Sequence, residues 1–96
     1  DILQARGELD EALRIRREEQ LPVYERLGDV RSLAVGRVNL AITLAQRGRP
    51  DEDGQEIITL LVLALRDARR LQLAETTQIE ALIRDLGGDP NAPPFA

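Results

Sequence analysis

Apolar positions recur along this chain at the spacing of helices. Val30, Leu33, Ala34, Val38, Ala41, Leu44 and Ala45 fall three or four residues apart, the cleanest run, and predict a helix over about 30–47. Ile79, Leu82, Ile83 and Leu86 mark one face of a shorter helix that begins near Thr76 or Thr77 and is closed by Gly87. Between these two, residues 57–65 are apolar nearly all round, interrupted only by Thr59. They predict a helix over about 50–73 that is buried on more than one side. Upstream, Leu9, Leu13, Tyr24 and Leu27 share a face, with Ala12 and Val23 beside it. Arg16, Arg17 and Gln20 interrupt that stripe, and Pro22 inside it predicts a kink in a helix over about 8–27.

The punctuation between these patterns is specific. Gly28 can end one helix and Asp29 cap the next. Gly48 stops the 30–47 helix, and Pro50 suits the first position of its successor, with Asp51 and Glu52 in the first turn where the helix dipole favours acids. Thr77 and Glu80 have the spacing of a capping box. Gly7 predicts the end of a first helix of which residues 2–6 are the last turns, which makes about five helices in all. Residues 88–96 hold three prolines and predict a disordered tail.

One phrase is stated twice. "RGELDEAL" begins at Arg6 and "RGRPDEDG" at Arg47, so that Arg6 and Arg47, Gly7 and Gly48, Asp10 and Asp51, and Glu11 and Glu52 recur forty-one positions apart. A period of that length is the mark of a helical solenoid. The unit, a helix, a Gly-containing turn, a second helix and a Gly-Asp turn, resembles the tetratricopeptide repeat, in its longer bacterial-type version. The resemblance is carried by Leu40, Ala41, Leu44 and Gly48 in "NLAITLAQRG", and by Leu3, Gly7, Leu9 and Ala12 upstream. It implies an all-α superhelix: a partial repeat over 1–28, a full repeat over 29–73 and a capping helix over 75–87. The chain then reads as the C-terminal part of a longer array, and the missing Met at position 1 agrees with an excerpt. Two positions depart from the pattern. Asp53 stands where the small residue represented by Ala12 is expected, and Arg16 replaces an apolar or aromatic residue.

The resemblance also implies a function, a scaffold that binds a protein or peptide on a concave helical surface. Asn39 matches an asparagine that hydrogen-bonds a ligand backbone in peptide-binding arrays, and Val35, Val38, Ile42 and Gln46 are its neighbours on that side. The alternative for Asn39, tighter packing between repeats, stays open. The basic residues that grip a ligand's terminal carboxylate in chaperone-binding members are absent at Val35 and Val38. Two further surfaces are candidates for self-association, as a homo-oligomer or by exchange of helices. One is the Leu9–Leu13 face, which would have lost its neighbouring repeat. The other is Leu60 and Leu63, which exceed what one packed face needs, unless that helix is wholly enclosed. The rival reading is a regulatory or oligomerisation segment of a multidomain nucleotide-binding signalling protein.

Composition narrows the chemistry. Aromatics are 2% of the chain against 43% hydrophobic residues, so the core must be aliphatic. There is no Cys and no His, which removes thiol and imidazole chemistry and Cys/His metal sites. A nucleophile would have to be Ser32, a threonine, Tyr24 or a carboxylate, none with a histidine to activate it. "DEDGQE", starting at Asp51, lacks the glycine at position six and the glutamate at position twelve that a calcium loop needs. "RIRRE", from Arg14, has Glu11 and Glu18 within a helical turn and reads as a salt-bridged face. A net charge of −4 gives no general attraction to nucleic acid or anionic lipid. The expectations are therefore no enzyme, no cofactor, no metal, no nucleic-acid or membrane partner, and a cytoplasmic location.

Overall fold

The computed structural model of the chain describes residues 2–91. These form helices and turns, with no strand among the described residues. α1 (Ile2–Ile15) runs through a π-helical turn (Arg16–Gln20) into α2 (Leu21–Leu27), so residues 2–27 make one continuous rod. α3 (Val30–Arg47), α4 (Pro50–Leu71) and α5 (Thr76–Asp85) follow. The described residues thus form four helical bodies and not five, because Gly7 lies inside α1 and does not end a helix.

The two copies of the repeated phrase therefore fold differently, and Pro50 explains why. A proline drives the residue before it out of the helical region. Arg49 accordingly sits at φ −119°, ψ 65°, and Gly48 takes the left-handed conformation at φ 74° that closes α3. The first copy has Glu8-Leu9 where the second has Arg49-Pro50, and nothing there forces the chain out of the helix. Gly7 then costs only about 1 kcal/mol of helix propensity.

Where a kink was expected at Pro22, a π turn lies on its N-terminal side. The Leu21 N–H donates to the Arg16 carbonyl, five residues back. One extra residue in the ladder rotates everything after it by about 100°. That rotation brings Leu21 onto the face of Leu13, which is 3% exposed, and carries Leu27 off it, to 72% exposure. The stripe expected from Leu9 through Leu27 is therefore broken in register at the π turn.

α3 is the central element. It packs most extensively against α4, to which a two-residue turn joins it, and on its other side against the rod; α5 packs on α4. Leu40 and Leu44 of α3, Leu61 of α4, and Ile79 and Ile83 of α5 are the largest fully buried side chains. The rod meets α3 at Gly36. A methyl group there would lie 2.8 Å from Leu21 Cδ2 and 3.4 Å from Tyr24 Cε2, so the missing side chain sets how closely α2 approaches.

Two part-buried ion pairs tie α3 to α4. At the turn, Arg47 holds Asp53; toward the open end, Arg37 Nη1 lies 3.1 Å from Asp67 Oδ2. Asp53 and Asp67 are each 4% exposed. Asp53, the acid found where the resemblance implies a small residue, is thus the buried half of an interhelix clamp. Arg16 has its Nε buried with no hydrogen-bond partner among the described residues.

Asp29 caps α3 as expected, accepting from the Ser32 amide at 3.1 Å and the Ser32 hydroxyl at 2.7 Å. Those hydrogen bonds from Ser32 hold its carboxyl below the usual range. α4 ends at Leu71, two residues earlier than expected, with Gln72 left-handed at φ 55°. The Thr77–Glu80 capping box does not form. Glu80 pairs instead with Arg69 at 3.0 Å, and the Thr76 hydroxyl donates to the Leu73 carbonyl at 2.8 Å. Residues 88–91, expected as part of a disordered tail, lie against the α4–α5 pair. The Gly88 amide donates to the Ile83 carbonyl at 2.9 Å, Arg69 donates to the Asn91 side chain at 3.0 Å, and Pro90 is buried. The rest of that expected tail, 92–96, is outside the described residues.

Candidate functional site

A trough runs between α3 and α5. Its floor near one end is Ile57 and Leu61 of α4; its walls are the facing sides of α3 and α5. It holds two adjoining cavities that share Ile42, one of about 310 Å³ and one of about 110 Å³. Val35, Val38, Asn39 and Ile42 line the smaller, and Ile42 and Gln46 the larger. All five residues singled out in the sequence as partner-binding are therefore brought together. The reason is periodicity: positions 35, 38, 39, 42 and 46 lie on one side of a regular α-helix, and that side is the one turned toward α5.

The opposite wall was missed as a wall. Leu82 and Asp85 of α5, with Leu86 just after it, line the larger cavity, and Gln78 and Ile79 the smaller. The sequence pattern gives α5 one apolar face and does not say which side of it is covered. Ile79 and Ile83 are buried, at 2% and 0% exposure, whereas Leu86 is 47% exposed and opens onto the trough. Two adjacent faces of α5 are apolar, one toward α4 and one toward the trough.

The polar groups of the trough are few and specific. Asn39, Gln46 and Gln78 each offer an amide with donors and an acceptor, in an otherwise apolar lining. Glu75, at the end of the smaller cavity, is engaged by Arg31 at 3.1 Å. Asp85, at the larger cavity, has no ion pair or hydrogen bond among the described residues and remains an open negative charge. Among the described residues, the lining of the two cavities is apolar apart from these amides and the carboxylates of Glu75 and Asp85.

The self-association residues are distributed otherwise. Leu13 is in the core at 3% exposure. Leu60 packs on the core from α4. Leu63 and Leu9 are half-buried. Leu9 lines a third cavity, about 480 Å³, between the start of the rod and the α3–α4 turn. Arg6 and Asp10 from the first copy of the repeated phrase face Arg47 and Gly48 from the second across it. Arg47 Nη1 lies 3.9 Å from Asp10 Oδ1, but its main partner is Asp53.

The basic cluster of the rod is a salt-bridged face. Arg14 pairs with Glu11 at 2.7 Å and Glu18 at 3.4 Å, and the hydrogen bond from Arg14 lowers the Glu11 carboxyl below its ordinary value. Arg17 reaches Glu56 of α4. Residues 51–56, weighed as a calcium loop, belong to the first turns of α4. No helix among the described residues is long and apolar enough to cross a membrane. The chain matches no protein-family model, no curated protein and no solved structure at a significant level of similarity.

Proposed function

We propose that this chain is a protein–protein interaction module of tetratricopeptide type, which holds a short partner segment in the trough between α3 and α5. One observation carries the reading. Five positions chosen from the sequence for their place on a single helix side line one apolar trough, and its far wall presents a half-exposed leucine, Leu86. A partner's apolar side chains enter the two cavities. The amides of Asn39, Gln46 and Gln78 hydrogen-bond its backbone, so that water leaves the trough without orphaning polar groups. The α3–α4 hairpin, clamped by Arg47–Asp53 and Arg37–Asp67, supplies the rigid wall against which such a segment orders.

Panning a phage-displayed random peptide library on the immobilised protein tests this. Selected peptides should share an apolar anchor, and their binding should weaken at least about tenfold on Leu86→Asp and more modestly on Asn39→Ala. Peptides that bind Leu86→Asp as well as the wild type, or the failure of any peptide to be selected, would refute it.

A further inference from the structure

The same chain carries a feature that fits this trough. Val23 and Leu27 of α2 are 36% and 72% exposed, one helical turn or about 6 Å apart along one face. The π turn has rotated them away from the core. The neighbouring flank, at Tyr24, is held against α3 at Gly36, so the exposed pair projects outward. Arg26 adjoins them, exposed and with no ion pair or hydrogen bond among the described residues. The large hydrophobic side chains exposed among the described residues are Val23, Leu27, Leu71 and Leu86. Two of them form this knob, and a third opens onto the trough.

Charge pairs the two surfaces. The knob reads Arg26-Leu27, an unpartnered cation beside an exposed leucine. The trough wall reads Asp85-Leu86, an unpartnered anion beside an exposed leucine. Building on the reading of the trough as a binding surface, we infer that α2 of one copy docks into the α3–α5 trough of a second copy. Leu27 enters the larger cavity and Arg26 pairs with Asp85. A short amphipathic helix laid in an apolar groove, anchored at residues one turn apart, is a common mode of recognition. Knob and trough are different surfaces of the molecule. The contact is therefore heterologous and leaves each copy with a free knob or a free trough, so that copies add head to tail. This places self-association at Leu27 and Leu86, and not at Leu13 or Leu60, which belong to or pack on the core.

Sedimentation velocity from low-micromolar to near-millimolar concentration tests the inference. The weight-average sedimentation coefficient of the wild type should rise with concentration. Leu27→Asp, at a position too exposed to disturb the core, should stay monomeric with unchanged circular dichroism. Arg26→Glu should weaken association by roughly tenfold or more, and adding Asp85→Arg to it should restore most of the loss. A wild type that stays monomeric throughout, or a charge-reversed double variant no better than Arg26→Glu alone, overturns the inference. If the wild type is monomeric yet selects peptides that Leu86→Asp loses, α2 docking fails while the trough reading stands. If peptide selection fails as well, both fall.

Discussion

Arg47 grips Asp53 with two parallel hydrogen bonds, Nε to Oδ2 at 3.0 Å and Nη2 to Oδ1 at 2.6 Å, joining the last residue of α3 to the first turn of α4. Paired guanidinium donors on one carboxylate fix geometry as well as charge. The hydrogen bonds from Arg47 hold the Asp53 carboxyl below its ordinary value of 3.8. Because the folded value is the lower one, the pair's contribution to stability is complete above about pH 3.8 and is lost as pH falls through the folded value. Asp53→Asn should lower the urea midpoint at neutral pH, since it strips Arg47 of its carboxylate. It should also flatten the fall in stability below pH 3.8, leaving the same-sign contributions of Asp29 and Glu11. Stability curves of wild type and variant that run parallel from neutral to acid pH would show that the pair does not carry this dependence.

The repeated glycines provide a paired test. Gly7 sits inside a helix with open space where a methyl group would go, so Gly7→Ala should stabilise the chain by about 1 kcal/mol. Gly48 has equal space but a φ of +74°, where a Cβ is strained, so Gly48→Ala should destabilise by about 1 kcal/mol. Urea denaturation of the two variants should therefore move in opposite directions. Shifts of the same sign would mean that Gly7 also ends a helix.

The buried Nε of Arg16 finds no hydrogen-bond partner among the described residues. Replacing an unsatisfied buried donor by an apolar group removes a desolvation penalty. Arg16→Leu should raise stability by about 1 kcal/mol, read as a higher thermal midpoint. A fall would mean that the guanidinium is satisfied at its other nitrogens by more than the burial of Nε costs.

Gly36 is where the rod meets α3. A leucine there would need the space now filled by Leu21 and Tyr24, and overpacking of this kind costs about 1–3 kcal/mol. Tyr24 is the chain's single tyrosine, and there is no tryptophan, so tyrosine emission reports on this contact directly. Gly36→Leu should lower stability and move Tyr24 emission toward that of free tyrosine, with the helix content of α3, α4 and α5 retained. Unchanged emission would place the close approach elsewhere.

Much of this was legible in the residues. α3 carries regular spacing, an Asp29 cap and a Gly48 stop, and its bounds come out as read. The side of α3 that faces the trough followed from the same periodicity. What was not legible depended on competition between elements. Gly7 and Gly48 sit in matching phrases, and only Pro50, two residues after Gly48, separates a turn from a helix interior. The π turn has no spacing signature of its own. It shows only as a slip of one residue between the Leu13 face and Leu21, which sequence periodicity alone reads as an interrupted stripe. Asp53 looked like a flaw in the repeat because its partner, Arg47, lies across a turn. The exposure of Leu86 was not legible because the α5 stripe does not say which of two adjacent apolar faces a neighbour will cover.

The trough is the centre of this account, and amide chemical-shift mapping tests it most directly. Isotope-labelled protein would be titrated with a peptide selected by panning, below the concentration at which the protein itself associates. The shifts should gather on Val35, Asn39, Ile42 and Gln46 of α3, on Leu82 of α5 and on Leu86 just after it. Shifts concentrated on α1 and the Arg6–Arg49 cleft, with the α3–α5 walls unmoved, would contradict it.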